Sequence, residues 1–438
     1  MMKNTKKTRA GASVTPSENL PLDGDTLKRF VRKFLDRREL YLRAAERCGS
    51  PLYLIEKPIL TARAKQFTEA FRAVLPDIRV YFAVKSNNHP AVARTLVKAG
   101  LGLDVSSGRE LRMALDSGAE DIVFSGPGKT GEELFLAVEH RDRVTVLIDS
   151  LGELEHLESI AGETGAAVRA GVRLTTDERA LWAKFGIPLS SLPAFLAAAG
   201  QTGHVRLRGF QFHTSWNMTP DNQVSFIIRL AGAIGSLDDE SRKKIEFIDI
   251  GGGFWPEDGE WLHREDGGVV NPDNRDRDPL LHFRKPSVPI REFAEKIGRA
   301  FREKILPLTG CRLCAEPGRW LCHPAMQILL RVTDRKGPDL VITDAGTNAI
   351  GWERFETDYF PVINLSRPGL TEHPCRVLGS LCTPHDVWGY SYHGEDIRPG
   401  DLLLLPNQGA YTYSLRQEFI KPLPGVATVD AAGEIASS

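Results

Sequence analysis

Residues 80–125 read VYFAVKSNNHPAVARTLVKAGLGLDVSSGRELRMALDSGAEDIVFS, and this stretch indicates the fold. It contains three short apolar runs, Val80–Val84, Leu101–Val105 and Ile122–Phe124, separated by two segments with helical spacing. Runs of this kind are typical of parallel strands that are buried on both faces between helices. The stretch therefore predicts a parallel α/β fold.

The same alternation continues as far as residue 315. Five more β-rich runs follow, at Val144–Ile148, Val168–Leu174, Leu207–Phe212, Ile245–Ile250 and Cys311–Ala315. Eight strand–helix units within about 235 residues are what a (β/α)₈ barrel of the TIM type requires. Beyond residue 316 the helical spacing fades, and β-like runs separated by Pro, Gly and Asp turns predict a mostly β second domain. These runs are Met326–Val332, Leu340–Thr343, Arg376–Leu381 and Asp401–Leu405.

These patterns divide the chain into four parts. Residues 1–25 lack apolar periodicity and are expected to form a flexible tail, and residues 26–50 carry the apolar spacing of an N-terminal helix. Residues 51–310 are assigned to the barrel, and residues 311–438 to its last strand and the C-terminal β domain. The polar segment 255–284 is expected to be a surface insertion near the barrel rim.

Composition excludes several functional classes. The 56 Lys+Arg against 57 Asp+Glu give a formal charge of −1, which argues against nucleic acid or an anionic membrane as the main partner. No apolar run approaches the ~20 residues of a membrane helix, and no signal-peptide core is present. The six cysteines are too few and too unevenly placed for a disulfide framework. We therefore expect a soluble cytoplasmic protein with a small-molecule substrate. Because the C-x-x-C of Cys311 and Cys314 stands alone, we expect no metal site.

Each barrel strand ends in a residue suited to chemistry, and active sites of such barrels lie at these ends. The strand ends are Lys85, Asp104, Ser125, Asp149, Arg173, His213, the Gly251–Gly253 turn and Glu316. A lysine in this position is costly to bury without a purpose, and it can form a Schiff base with a carbonyl. A purely structural ion pair with Asp104 or Glu316 is the alternative interpretation of Lys85.

Two glycine-containing turns support the chemical interpretation. The Gly251–Gly253 turn follows a strand and offers backbone N–H groups to a phosphate, and Glu316-Pro317-Gly318-Arg319 adds a carboxylate and a guanidinium. Together with the strand-end lysine, these turns predict a pocket for a phosphate-bearing aldehyde.

Seven ordered motifs between roughly residues 50 and 420 resemble one known family, the pyridoxal-phosphate-dependent decarboxylases of the alanine racemase-like barrel fold. This family includes diaminopimelate, ornithine and arginine decarboxylases. The motifs are Y-F-A-V-K-S-N at Lys85, L-D-V-S-S-G at Asp104, F-H-T-S at His213, D-I-G-G-G-F, E-P-G-R, D-A-G at Asp344 and G-S-L-C-T-P-H-D around Cys382.

The resemblance implies a role for each matching residue. Lys85 would hold pyridoxal phosphate as a Schiff base, His213 would stack on its ring, and Glu316 would pair with the ring nitrogen. Cys382 would return a proton to the α-carbon, and it would come from the partner subunit because the family's active site is shared across a homodimer. The other cofactor-binding positions implied by the resemblance are Asp104, Arg173, Gly252, Gly253, Gly318, Arg319 and Tyr411.

The chain departs from the family where the substrate's far end would bind. Thr383 stands where ornithine and diaminopimelate enzymes carry an acidic residue for the distal amine, and His213 is followed by Thr-Ser-Trp rather than by a small residue, Gly and Ser. C-T-P-H-D-x-W and Trp255 resemble siderophore-pathway decarboxylases, whose diamino acid substrate is amide-linked to citrate. The expected substrate-binding residues are Asp344, Arg354, Thr383 and His385.

Two alternatives remain open at this point. One is a decarboxylase of a free diamino acid such as ornithine, lysine or diaminopimelate. The other, from a different class, is a non-catalytic regulatory homologue. The presence of Lys85, Cys382 and Glu316 together disfavours the regulatory homologue.

Overall fold

A computed structural model describes residues 19–270, 280–351 and 356–437. In these residues no helix is both long and apolar enough to cross a membrane. The helices are α1 Gly24–Leu35, α2 Arg38–Cys48, α3 Lys57–Arg72, α4 Pro90–Lys98, α5 Gly108–Asp116, α6 Gly131–Glu139, α7 Leu151–Thr164, α8 Leu192–Ala199, α9 Asp221–Gly235, α10 Asp239–Lys243, α11 Ile290–Lys304 and α12 Arg319–Cys322. The strands are β1 Leu20–Pro21, β2 Leu52–Glu56, β3 Arg79–Ala83, β4 Gly102–Val105, β5 Ile122–Phe124, β6 Val144–Ile148, β7 Val168–Leu174, β8 Val205–Phe212, β9 Phe247–Asp249, β10 Glu260–Leu262, β11 Phe283–Lys285, β12 Arg312–Ala315, β13 Met326–Gly337, β14 Leu340–Thr343, β15 Ile363–Asn364, β16 Glu372–Leu378, β17 Val387–His393, β18 Leu402–Leu405, β19 Gly425–Val429 and β20 Ile435–Ser437.

Eight of the described strands close a parallel barrel in the order β12-β3-β4-β5-β6-β7-β8-β9. They are the eight runs predicted from the sequence, so the (β/α)₈ barrel is confirmed. Alternate side chains point to opposite sides of each strand. One set packs on the surrounding helices, while Tyr81, Val123, Leu147, Phe247 and Cys314 form a separate buried cluster. Because these five come from β3, β5, β6, β9 and β12, the barrel has a packed interior.

The predicted second domain, mostly β in structure, is also confirmed. Its described strands form one sheet in the order β14-β16-β17-β15-β18-β13-β2-β19-β20. Strand β2 belongs to this sheet, whereas the sequence analysis had assigned residues 51–310, and so β2, to the barrel. All five residues of β2 are buried, since it pairs with β13 on one side and β19 on the other. Strands β15, β17, β19 and β20 were not predicted.

The N-terminal region differs from the prediction in two ways. The expected helix over residues 26–50 is two helices, because α1 ends at Leu35 and α2 begins at Arg38. Part of the expected tail is ordered: β1 pairs with β11, which pairs with β10 of the 255–284 segment. Asp23 caps α1 by accepting from the backbone N–H groups of Asp25 and Thr26. Residues 1–18 and 271–279 lie outside the described residues.

The two cysteines of the C-x-x-C motif are buried core residues. Burial raises the pKa of Cys311 to about 11 and that of Cys314 well above its ordinary value. Among the residues that the structure describes, no group of three or more His, Cys, Asp or Glu side chains is placed to hold a metal ion.

Candidate active site

Lys85 and Asp104 meet at the rim of the barrel, above two neighbouring strands. Lys85 lies in a single 3₁₀ turn, Val84–Ser86, directly after β3, and Asp104 lies on β4 opposite Ala83. The Nζ of Lys85 is 3.2 Å from Oδ2 of Asp104. Asp104 is completely buried, and its other oxygen accepts a hydrogen bond from the Ser125 hydroxyl. Lys85 therefore has a fixed anionic partner, yet 36% of its side chain is exposed.

The charge of Lys85 is controlled by two carboxyl groups. Burial by itself lowers the pKa of Lys85, but the carboxylates of Asp104 and Glu316 outweigh burial and raise the pKa above its ordinary value. An opposite charge within a few ångströms favours the charged form of a group. The two acids therefore hold Lys85 as an oriented ammonium group.

Two buried acids lie next to each other near the rim: Glu316 after β12 and Asp249 at the end of β9. Burial, followed by the neighbouring carboxylates, raises the pKa of Glu316 well above its ordinary range and that of Asp249 to about 7. Oδ1 of Asp249 accepts from the Gly251 N–H at 2.8 Å, and Gln211 Nε2 lies 3.4 Å from Oε1 of Glu316. Because two adjacent buried carboxyls resist double ionisation, this pair holds a proton near neutral pH.

His213 presents a neutral ring at the end of β8. Its Nδ1 accepts a hydrogen bond from the Gly252 N–H at 3.1 Å, so its Nε2 carries the proton and donates to the Ser215 hydroxyl at 3.2 Å. Burial and the charges of Lys85 and Arg173 lower the pKa of His213 well below its ordinary value. The ring is thus uncharged, with one tautomer fixed.

Glycines of the Gly251–Gly253 turn and the Gly318–Arg319 turn lie too close to neighbouring groups for larger residues. A Cβ at Gly252 would lie 2.5 Å from the carbonyl oxygen of Glu316, and one at Gly318 would lie 2.9 Å from the Ser86 hydroxyl. At Gly253, where φ is +81°, a Cβ would overlap the Thr214 carbonyl. This glycine-lined surface ends at the Arg319 guanidinium, and such a combination fits a phosphate group.

These groups open into one cavity of about 530 Å³. Arg173 also lines this cavity: its buried Nε has no hydrogen-bond partner among the described residues and lies 4.0 Å from Oδ1 of Asp149, and its guanidinium lies 4.5 Å from the Phe185 ring. The predicted site residues that line the cavity are Lys85, Arg173, His213, Gly253, Glu316, Gly318, Arg319 and Tyr411. The Lys85 amine can bond an aldehyde, the Glu316–Asp249 pair holds a proton for a ring nitrogen, and the glycine turns with Arg319 suit a phosphate. These three features fit pyridoxal phosphate.

Asp104 and Gly252 contact residues that line the cavity without lining it themselves, whereas four other predicted residues lie outside it. Cys382 is exposed in the turn between β16 and β17, together with Thr383 and His385, and Nδ1 of His385 is 3.1 Å from Glu356. Asp344 accepts a hydrogen bond from the Arg331 N–H. Within one chain the structure does not bring these residues to Lys85. Arg354 lies outside the described residues.

Several residues of the site were not singled out from the sequence. Asp249 and Gln211 flank Glu316, and Asp386 accepts from the Thr347 and Leu381 N–H groups, both at 2.6 Å, so that it ties the D-A-G loop to the loop of Cys382. The signal for Asp249 was available, since an acid at the end of an apolar run precedes the triple glycine.

Barrel geometry and cavity chemistry together define a class, the barrel enzymes that use a phosphorylated aldehyde cofactor. Residues 60–323 match the family described as pyridoxal-dependent decarboxylase, pyridoxal binding domain. The chain belongs to this family. It is a pyridoxal-phosphate-dependent amino acid decarboxylase, and hence a carboxy-lyase.

Relatives with different substrates align along most of the chain. A diaminopimelate decarboxylase of Methanothermobacter thermautotrophicus is 27% identical over 403 residues, covering 88% of each chain. An L-glutamyl-[BtrI acyl-carrier protein] decarboxylase of Niallia circulans is 26% identical over 404 residues, covering 87% of this chain and 88% of the relative. The crystal structure of diaminopimelate decarboxylase from M. jannaschi superimposes with a TM-score of 0.74 at 24% identity, covering 91% and 90% of the two chains. This structural likeness supports the fold.

Proposed function

We propose that the protein is a homodimeric decarboxylase of an amino acid whose far end is not a free ammonium group, namely a diamino acid amide-linked to citrate in siderophore biosynthesis. The observation that carries this proposal is the charge of the cavity. Among the described lining residues Glu316 is the single acidic residue, whereas Lys85, Arg173 and Arg319 are basic. A sequestered ammonium needs a nearby anion, and the cavity offers none beyond the acid committed to the cofactor.

Pyridoxal phosphate, when bound, supplies an electron sink for the charge that loss of CO₂ leaves on the α-carbon. Lys85 would bond the cofactor covalently, and Asp104 would orient the amine. Glu316 would pair with the ring nitrogen, and the neutral ring of His213 would pack against the cofactor without adding charge. Gly252, Gly253, Gly318, Arg319 and Tyr411 would hold the phosphate.

Cys382 is the proposed proton donor to the α-carbon. A thiol can transfer a proton at neutral pH, but in its own chain Cys382 is exposed and lies outside the cavity of Lys85. Its position supports a site completed across a homodimer, with Cys382 of one subunit serving the cavity of the other. Asp386 would fix the loop that carries it.

The proposed chemistry of the substrate's far end follows from the absence of a negative charge on Thr383. A threonine hydroxyl cannot neutralise an ammonium group, whereas Arg354 and His385 offer positive or hydrogen-bonding partners to carboxylates. The Niallia circulans relative acts, by its name, on a glutamyl group attached to a carrier protein. Its presence among the relatives supports a substrate whose far end is joined to another group.

A decarboxylation screen tests the proposal. Carbon dioxide release is measured for ω-N-citryl diamino acids and for free ornithine, lysine and diaminopimelate. We expect kcat/KM to favour the citryl compounds by ~30-fold or more, the cost of leaving a buried charge unpaired. Turnover of a free diamino acid at ~10⁴ M⁻¹s⁻¹ or above would support the second candidate, which the diaminopimelate decarboxylase relatives favour.

A substitution at Thr383 provides the matched control for the screen. Thr383→Glu places an anion where the family's acidic residue lies, so it should raise kcat/KM for free diamino acids and lower it for citryl compounds. Thr383→Val should leave that ratio unchanged. No carbon dioxide from either class would contradict the proposed activity.

A further inference from the structure

Two loops at the cavity mouth are joined so that each presents a tryptophan. The loop after β8 and the loop after β9 run parallel: the Asn217 N–H donates to the Gly253 carbonyl at 3.0 Å, and the Trp255 N–H donates to the Asn217 carbonyl at 3.2 Å. Trp216 and Trp255 stack with ring centroids 6.2 Å apart and an interplanar angle of 26°. The pair is therefore held by backbone hydrogen bonds.

Trp216 occupies this position at a conformational cost. Its φ is +51°, in the left-handed region that bulky residues rarely adopt, and its side chain remains 51% exposed. Strain at a position that gains little from burial is a common property of functional sites. The backbone thus holds a half-exposed indole beside the cavity.

A second aromatic pair lies next to the first. Trp182 and Phe185, in the loop after β7, have ring centroids 5.9 Å apart. All four rings line the cavity that contains Lys85, and we call them the aromatic arc: Trp182, Phe185, Trp216 and Trp255. Because β7 is four strands away from β3 in a ring of eight, Trp182 and Phe185 face Lys85 across the mouth, and the arc continues through the loops after β8 and β9.

Cations already occupy part of the arc's ring surface. The Arg319 guanidinium lies 4.5 Å from the Trp255 ring, and Phe185 has Arg173 at 4.5 Å and Lys184 at 5.3 Å. A cation over an aromatic face uses the ring's attraction for positive charge and repels a second cation nearby. The arc is consequently unsuited to an ammonium group and suited to a planar neutral or anionic one.

We propose that the aromatic arc binds the amide-linked, carboxylate-bearing acyl part of the substrate, and that Trp216 is a specificity-determining residue. This inference rests on the proposed function, which places the substrate's α-amino group at Lys85. The acyl part then extends across the mouth toward the arc. There its amide plane lies against the indoles, and its carboxylates lie near Arg173, since Arg319 holds the cofactor phosphate.

The test measures binding separately from turnover. Calorimetry on the cofactor-loaded protein compares an ω-N-succinyl diamine, which resembles an acylated product, with the free diamine. Trp216→Gly removes the indole and also suits the left-handed backbone, so the variant should fold. We expect it to weaken binding of the succinyl compound about 10-fold or more, equal to ~1.4 kcal/mol. It should leave binding of the free diamine unchanged, and Trp216→Phe should restore most of the loss.

Phe135→Ala is the matched control, since Phe135 is an exposed aromatic residue on α6 that does not line the cavity. It should change neither affinity. Equal losses for both ligands in Trp216→Gly, unchanged affinity for the succinyl compound, or no preference for it in the unmodified protein would each overturn the inference. If the succinyl diamine binds through Trp216 but no carbon dioxide is released from any substrate, the proposed function fails and the assignment of the arc stands.

Discussion

Two lysines at the barrel rim have opposite surroundings. Lys129, in the loop after β5, donates to the Gly126 carbonyl, the Leu147 carbonyl and Glu153, all at 2.7–2.8 Å, and its side chain is 1% exposed. Among the described residues Lys85 makes one such contact, with Asp104 at 3.2 Å, and it lines the cavity. An ammonium group has three protons to donate, so Lys129 is saturated and Lys85 is not.

The comparison separates a structural lysine from a reactive one. Lys129 uses all of its donors to join the β5 loop to β6 and α7, so removing it affects stability. Lys85 is oriented by one partner and keeps its remaining capacity for a ligand. Charge alone does not distinguish them, because both follow barrel strands and lie beside carboxylates. The two lysines differ in the number of their satisfied hydrogen-bond donors and in their access to the cavity.

Replacement of the reactive lysine has the largest expected effect. Lys85→Arg keeps the positive charge beside Asp104 but removes the primary amine that bonds an aldehyde. We expect activity to fall ~10³-fold or more and the borohydride-reducible cofactor adduct to disappear from the mass spectrum, with little change in unfolding by urea. An adduct at full yield would show that another lysine bonds the cofactor.

Replacement of the saturated lysine should have the reverse profile. Lys129→Met leaves Glu153 buried without its cation, which should cost ~3–5 kcal/mol in the free energy of unfolding, measured with urea. The folded fraction should still form the cofactor adduct. Adding Glu153→Gln should recover most of the loss. If Lys129→Met abolished the adduct at normal stability, the distinction between the two lysines would be wrong.

Cys382 tests whether exposure in one chain is compatible with a catalytic role. In Cys382→Ala the cofactor should bind normally, but without the thiol proton the rate should fall ~10²-fold and more turnovers should end in a carbonyl product instead of the amine. Chromatography of the products checks this. Cys48→Ala, which changes a cysteine outside the proposed site, is the control. Unchanged rate and clean amine product would remove Cys382 from the mechanism.

A buried histidine gives the smallest effect and extends the comparison to a titratable group that burial keeps neutral. His393 is 1% exposed, 4.0 Å from Glu372, and burial lowers its pKa from 6.5 to about 4. As pH falls, His393 is therefore protonated near pH 6.5 in the unfolded chain but only near pH 4 in the folded protein. The stability that His393 contributes is present above pH 6.5 and is lost as pH falls through this window.

Between pH 7 and pH 5 this loss should be about 2 kcal/mol, and His393→Gln should reduce it. Urea unfolding at the two pH values measures the difference. The exposed His156, replaced by Gln, should leave the pH dependence as it is in the unmodified protein. An identical pH dependence in His393→Gln would show that His393 is charged in the folded protein.

Local sequence was sufficient for the barrel because each of its strands is a short apolar run next to its neighbour in the chain. It was insufficient for β2, whose partner β13 begins at Met326, since an apolar run does not state which sheet it joins. Strand β17 was missed because Gly389 and alternating polar residues interrupt its apolar run.

The candidate site shows the same limit. Lys85, His213 and Glu316 could be predicted to meet because they follow parallel strands of one barrel, whose carboxyl ends lie at the same rim. The loop of Cys382 has no such geometric link to the barrel, and within one chain it lies elsewhere. The saturation of Lys129 depends on carbonyl groups of other segments, which no pattern of side chains reveals.

The position of β2 also determines the order in which this chain can fold during synthesis. Leu52 pairs with Leu329, so β2 leaves the ribosome 329 − 52 = 277 residues before its partner. At ~5–20 residues per second this is a wait of about 15–55 s. The last barrel strand, β12, ends at Ala315 and emerges before β13, so the barrel can close first. During that interval β2 is an apolar strand with unpaired edges, which is the kind of segment that chaperones protect from aggregation.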